Sequence, residues 1–133
     1  MSDHVPVLPY AAELQRKAIH LLALVLPGAI LVLPRPTALL GLTVLAAFAV
    51  ALDLARQRVP AVRRFVVDRA FGGMMRPEEL PPEGAPIVLN GAAWMCVSAA
   101  VCAWLFPPGV AAAALAMLMV GDGAAAVLGR RYG

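Results

Sequence analysis

The chain alternates between long apolar runs and short polar breaks. Four runs stand out: Ala18–Leu33, Thr37–Leu54, Ile87–Phe106 and Val110–Leu128. A hydrocarbon core of ~30 Å takes about 20 residues of helix at ~1.5 Å each, so runs of this length predict membrane-spanning helices. None shows the apolar–polar alternation of a strand, and the chain has no internal repeat. Pro34-Arg35-Pro36 separates the first two runs and Pro107-Pro108-Gly109 the last two. Both are tight breaks, so the pattern predicts two helical hairpins. The first run is the shortest and carries Pro27-Gly28, which predicts a kink or an early stop.

Composition points the same way. Of 133 residues, 62% are hydrophobic and 14% charged, and the mean hydropathy is +0.81. Soluble domains run at ~45–50% apolar and ~25% charged. So few charges neither cover a globule nor keep a chain disordered. The net charge of +3 invites comparison with nucleic-acid binders, yet the basic residues sit between apolar runs rather than among exposed aromatics. No nucleic-acid polymer is expected as a partner. Cys96 and Cys102 fall six apart in one run, on different faces of a helix. They read as small buried hydrophobes, neither a disulfide nor half a zinc site. The run after Arg16 and Lys17 lacks a small-x-small cleavage site, so a retained span is preferred over a signal peptide.

Positive charge then orients the spans. Arg16 and Lys17 precede the first; Arg56, Arg58, Arg63, Arg64, Arg69 and Arg76 follow the second; Arg130 and Arg131 follow the fourth. Arg35 alone falls on the other side. The positive-inside rule therefore puts both termini and the loop 55–86 in the cytoplasm. The expected fold is an all-α polytopic membrane bundle of four transmembrane helices, with residues 1–12 as a cytoplasmic tail and 13–133 as the membrane domain. Within the loop, Val59, Val62, Val66 and Ala70 form a helical stripe with Arg64 and Asp68 pointing away, which predicts a short interfacial helix. The stretch PEELPPEGAP that follows is acidic and rigid, and Pro81-Pro82 forbids helix there.

Polar residues at membrane depth need a reason, since each charge costs ~2.5–3.5 kcal/mol even on the lenient insertion scale. Asp122 lies about six residues inside the last run, between Gly121 and Gly123. Gly121, Ala125 and Gly129 make a small-residue stripe that predicts close helix packing. Glu13, Arg16, Lys17 and His20 recur at helical steps and share one face. Asp53 precedes Arg56 by one turn, as in a helix-end ion pair, and Asn90 just inside the third run reads as an interhelical hydrogen bond. All of these, with Arg76 and Glu79, fall on the cytoplasmic side. One-sided placement suits chemistry between a soluble phosphate donor and a lipid head group.

Taken in order, Glu13-Leu-Gln-Arg-Lys-Ala-Ile-His20, Leu52-Asp53-Leu-Ala-Arg56, Arg76-Pro-Glu-Glu79, Leu89-Asn90-Gly91 and Gly121-Asp122-Gly…Gly129-Arg-Arg-Tyr-Gly133 resemble the diacylglycerol/polyprenol kinase family. That family includes dolichol, phytol and CTP-dependent diacylglycerol kinases and is related to the phosphatidate cytidylyltransferases. The resemblance covers residue 13 to the end and implies transfer of the γ-phosphate of CTP to a lipid alcohol. It implies a CTP site drawing on Gly121, Asp122, Gly123, Gly129, Arg130, Arg76, Glu79 and Asn90. Arg16, Lys17, His20 and Asp53 are the expected catalytic set, with His20 and Asp53 as alternative proton acceptors. Asp122 is the expected Mg²⁺ ligand, since Mg²⁺ favours a carboxylate plus phosphate oxygens. Family members continue past this segment with a Lys-(Ser/Thr)-x-x-Gly-(Ser/Thr) element, so the chain is expected to lack the C-terminal part of the domain. The alternatives are CDP-lipid synthesis and a non-catalytic helical membrane protein.

Overall fold

The computed structural model describes residues 9–71, 73, 80–82 and 84–132, without the side chains of 70, 71 and 130. It is helical, and no strand occurs among the described residues. The elements are α1 (Tyr10–Leu22), α2 (Val25–Val32), α3 (Arg35–Arg58), α4 (Pro60–Arg63) running into a π-helix (Arg64–Phe71), α5 (Gly91–Leu105) and α6 (Pro108–Tyr132). Three stretches are long and apolar enough to cross a membrane: Tyr10–Val32, Arg35–Arg58 and Pro108–Gly129. The surfaces suit a membrane too. Val32, Met117 and Leu22 are 83%, 76% and 74% exposed, an apolar exterior that water would penalise.

The first span is one helix broken in the middle. Pro27 has no N–H to give Ala23, four residues back, and its ring crowds that carbonyl. The Ala23 carbonyl is taken instead by the Leu26 N–H at 2.9 Å, and the Leu24 N–H turns to Leu21 at 3.0 Å. These tighter bonds make the kink between α1 and α2. Both halves lie along α6. The expected kink is present, and the helix starts at Tyr10, eight residues ahead of the apolar run.

The short breaks behave as their chemistry demands. Pro34 caps α3, with Pro36 in its first turn, where a missing N–H costs nothing. α5 ends at Leu105, with Phe106 as its extended C-cap ahead of Pro107. Yet the sequence-adjacent helices are not the main partners. The largest interfaces are α3 with α5 and α2 with α6, both antiparallel by their order in the chain. Four alanines of α5 (Ala93, Ala99, Ala100, Ala103) are buried, and small side chains let α3 approach closely. The core holds Leu26, Ile30, Leu42, Ala46, Leu115 and Met119 with Ala99, Ala100 and Ala103. It fills the half of the bundle nearer the two turns.

Two expectations are corrected. The third apolar run is not one long helix: Ile87–Leu89 lie outside helix, Asn90 is extended at φ −75°, ψ 167°, and α5 spans only 15 residues, ~22 Å. The small-residue stripe is also displaced. Gly121, Ala125 and Gly129 are exposed, and a Cβ on Gly121 or Gly129 would meet nothing within 4 Å. The buried stripe of α6 is Ala111, Leu115, Met119 and Gly123, again four apart. Gly123 is the glycine at a helix contact, its Cβ position 3.5 Å from Leu21 Cδ2 of α1.

Candidate functional site

The two turns, 33–35 and 106–108, mark one end of the bundle. Apart from Arg35 at the first turn, four of the helices carry their charged residues or polar cap toward the other end: α1 at Lys17 and His20, α3 at Asp53 and Arg56, α5 at Asn90, α6 at Asp122. They form two clusters of opposite character.

The first joins α3 to the start of α5. Asp53 is 1% exposed and Arg56 3%. Arg56 Nε donates to Asp53 Oδ1. Asn90 approaches the same carboxylate twice, its backbone N–H on Oδ2 at 2.6 Å and its side-chain Nδ2 on Oδ1 at 3.2 Å. Asn90 Oδ1 then accepts the Ala93 N–H at 2.8 Å, capping α5. One turn beyond Asp53, Gln57 spans Val88: its Nε2 donates to the Val88 carbonyl at 2.8 Å and its Oε1 accepts the Val88 N–H at 3.0 Å. Further along, an Arg63 guanidinium nitrogen donates to the Pro81 carbonyl at 3.3 Å. The returning chain 81–90 is thus laced to the α3–α4 side at three points. This answers the backbone accounting: non-helical peptide groups entering an apolar bundle need partners, and Gln57 and Asp53 supply them. Both carboxylate oxygens of Asp53 are engaged.

The second cluster joins α1 to α6. Lys17 Nζ donates to Asp122 Oδ2 at 2.7 Å. Their side chains are 11% and 51% exposed, so a half-open carboxylate meets a nearly covered ammonium. His20 Nε2 lies 3.7 Å from the same oxygen. That is too long for a hydrogen bond, and the nitrogen is buried without a hydrogen-bond partner. Lys17 and His20 are three apart and so share the face of α1 turned to α6. Contact at Leu21 and Gly123 sets the approach of the two helices. A cation, an imidazole and a carboxylate with an open side are a set able to bind an anion and move a proton.

The remaining candidates sit elsewhere. Arg16 and Glu13 are half-buried on α1. Gly121 and Gly129 line the outer face of α6, and Arg131 lies over the Tyr132 ring at 5.7 Å. Arg76 and Glu79 lie outside the described residues, as does the Arg130 side chain. Asn90 falls in the closed cluster as a helix cap, away from Asp122's partners. Sequence reasoning missed Gln57; its position one turn after Asp53, on the same face, was the available signal.

No family model, curated protein or solved structure matches the chain. The motifs quoted above therefore stand on their own, and the reading drawn from them is a proposal.

Proposed function

We propose that this chain is a membrane-embedded lipid kinase, moving the γ-phosphate of CTP onto a lipid alcohol at the cytoplasmic leaflet. The observation that carries the reading is the open cluster of Lys17, His20 and Asp122, with its half-exposed carboxylate and unpartnered ring nitrogen. Anchoring in a bilayer needs a snorkelling lysine, not this trio. The choice of CTP comes from the motif resemblance.

In this reading the chain crosses the membrane four times, with both termini and the loop 55–86 on the cytoplasmic side. α5 is short for a span, but residues 86–90 extended below it add up to roughly 16 Å. The helix 60–71 lies at the cytoplasmic face.

The roles divide by exposure, Asp53 being buried and Asp122 half-exposed. Lys17 and Arg16 offset phosphate charge, with Arg131 further out. The lipid hydroxyl oxygen attacks the γ-phosphorus, the bond from that phosphorus to the β,γ-bridging oxygen breaks, and CDP leaves with that oxygen. The hydroxyl proton passes to His20 Nε2. Asp53 is a positioning residue, since both its oxygens are already held. Phosphoryl transfer needs mostly positioning and electrostatics, so a small set suffices. Among the described residues no group of three or more His, Cys, Asp or Glu gathers. Asp122 therefore fits a Mg²⁺ that arrives with nucleotide phosphates, not a resident ion. When bound, the ion neutralises phosphate charge.

The test uses the full chain in nanodiscs with Mg²⁺, lipid alcohols and CTP labelled at the γ- or the α-phosphate. γ-Label entering lipid, lost in Asp122→Asn while the variant still inserts, supports the reading. α-Label entering lipid with pyrophosphate release indicates CDP-lipid synthesis instead. No label from either position overturns both.

A further inference from the structure

A further group of charges, outside both clusters, lies at the end of α3 and in the helix that follows it. From Arg58 to Arg69 the sequence holds Arg58, Arg63, Arg64 and Arg69 against one acid, Asp68. Arg58, Arg64 and Arg69 are exposed, and so is Phe65, at 63%. Val66 is buried at 6%.

Helix geometry explains the sorting. From Arg64 onward the helix is wound in the wider π form, whose i→i+5 bonds keep residues four or five apart on one side of the helix. Arg64 and Asp68 then share one side of the helix and Phe65 and Arg69 another, all four exposed, while Val66 is buried. Phe65 and Arg69 together form an exposed edge that is aromatic and cationic at once. Its place in the fold is fixed as well. α3 runs 24 residues, ~36 Å, and ends at Arg58. Val59 is extended at φ −111°, ψ 112°, with Pro60 opening the next helix, so the chain turns off sharply where a crossing helix leaves the hydrocarbon. Arg63 ties the helix back to the Pro81 carbonyl.

We infer that Arg58, Arg64, Arg69 and Phe65 form a docking surface for the anionic phospholipid headgroups of the bilayer the chain spans. The guanidinium groups match phosphate in charge and fork geometry. Phe65 fits the acyl boundary just beneath, the division of labour seen in interfacial basic helices. A wholly aqueous face gives no reason for an exposed phenylalanine among arginines, and a nonpolar face gives no reason for the arginines. The inference rests on the chain crossing a membrane and not on its being a kinase.

The experiment places a nitroxide label at Phe65→Cys in the full chain, with Cys96 and Cys102 replaced by Ala. The protein is reconstituted in nanodiscs of phosphatidylcholine alone, or with phosphatidylglycerol added. Collision with oxygen against a water-soluble nickel chelate reads depth. The label should move into the acyl boundary in the anionic discs. Each Arg→Gln change at 58, 64 or 69 should lower the docked-to-undocked ratio about fivefold. A second label at Leu40, exposed on α3, should stay lipid-facing throughout and so reports that each variant is inserted. A label at 65 that is water-accessible in both compositions overturns the inference and points to a solvent or protein-facing surface. One equally buried in both, and indifferent to the arginines, overturns it too.

Discussion

The two polar clusters use similar residues to opposite ends. At the α3–α5 junction, Asp53 and Arg56 are almost wholly buried and the carboxylate accepts from Arg56 and twice from Asn90. At the α1–α6 junction, Asp122 is half-exposed, and the His20 nitrogen beside it has no hydrogen-bond partner. A saturated network has nothing left to offer a ligand; it holds backbone in place. A half-exposed carboxylate beside an imidazole nitrogen without a hydrogen-bond partner is a poor fastener, and it stays within reach of something that arrives. Residue type alone would have treated Asp53 and Asp122 as equals.

The closed cluster breaks most expensively. Asp53→Ala strands Arg56 in a buried site and should destabilise by about 3–5 kcal/mol, read as a lower midpoint in mixed-micelle denaturation followed by circular dichroism. If Asp53→Ala is benign, the saturation argument fails. Asp122→Asn should do the reverse. It should lower phosphotransfer by roughly a hundredfold or more, measured as label transfer from CTP. Its stability should move by no more than about 1 kcal/mol, the range of an exposed pair.

Smaller effects sharpen the boundary between the clusters. Gln57→Leu leaves the Val88 N–H without its partner and should cost about 1–3 kcal/mol, with faster amide exchange at Val88. His20→Leu removes a buried polar atom that has no hydrogen-bond partner, so it should stabilise by about 1 kcal/mol while abolishing the proposed proton transfer. A lower melting temperature would place His20 among the fasteners. Gly121→Ala should be the mildest. Its new Cβ meets nothing, and the better helix propensity gains at most about 1 kcal/mol, visible as an unchanged or slightly raised midpoint.

How legible all this was depended on where the deciding chemistry lay. The breaks at Pro34–Pro36 and Pro107–Pro108 and the kink before Pro27 follow from single residues acting on their own backbone. Pairing of α3 with α5 does not, because nothing local tells a helix which neighbour it will lie against. Ile87-Val88-Leu89 is as apolar extended as it is helical. The residues that serve that stretch, Gln57 and Asp53, sit about thirty positions earlier. The glycine stripe went astray for a related reason: Gly121 and Gly123 differ by two positions, and only the position of α1 decides which of them is covered. Lys17 and His20 were visible as one face; that their face meets Asp122 was not.

Gln57 and Asp53 carry a further meaning for biogenesis. In the proposed topology, the second span is synthesised and handed to the bilayer before the third emerges. It therefore waits with a carboxylate and an amide prepared for a strand that does not yet exist. When residues 86–90 arrive, their peptide groups are received by side chains already in place, and a helix otherwise too short to hold its own depth is moored at its lower end. Translation order and assembly order then coincide. A chain with those two segments exchanged would present the same residues and have nothing ready to catch the newcomer.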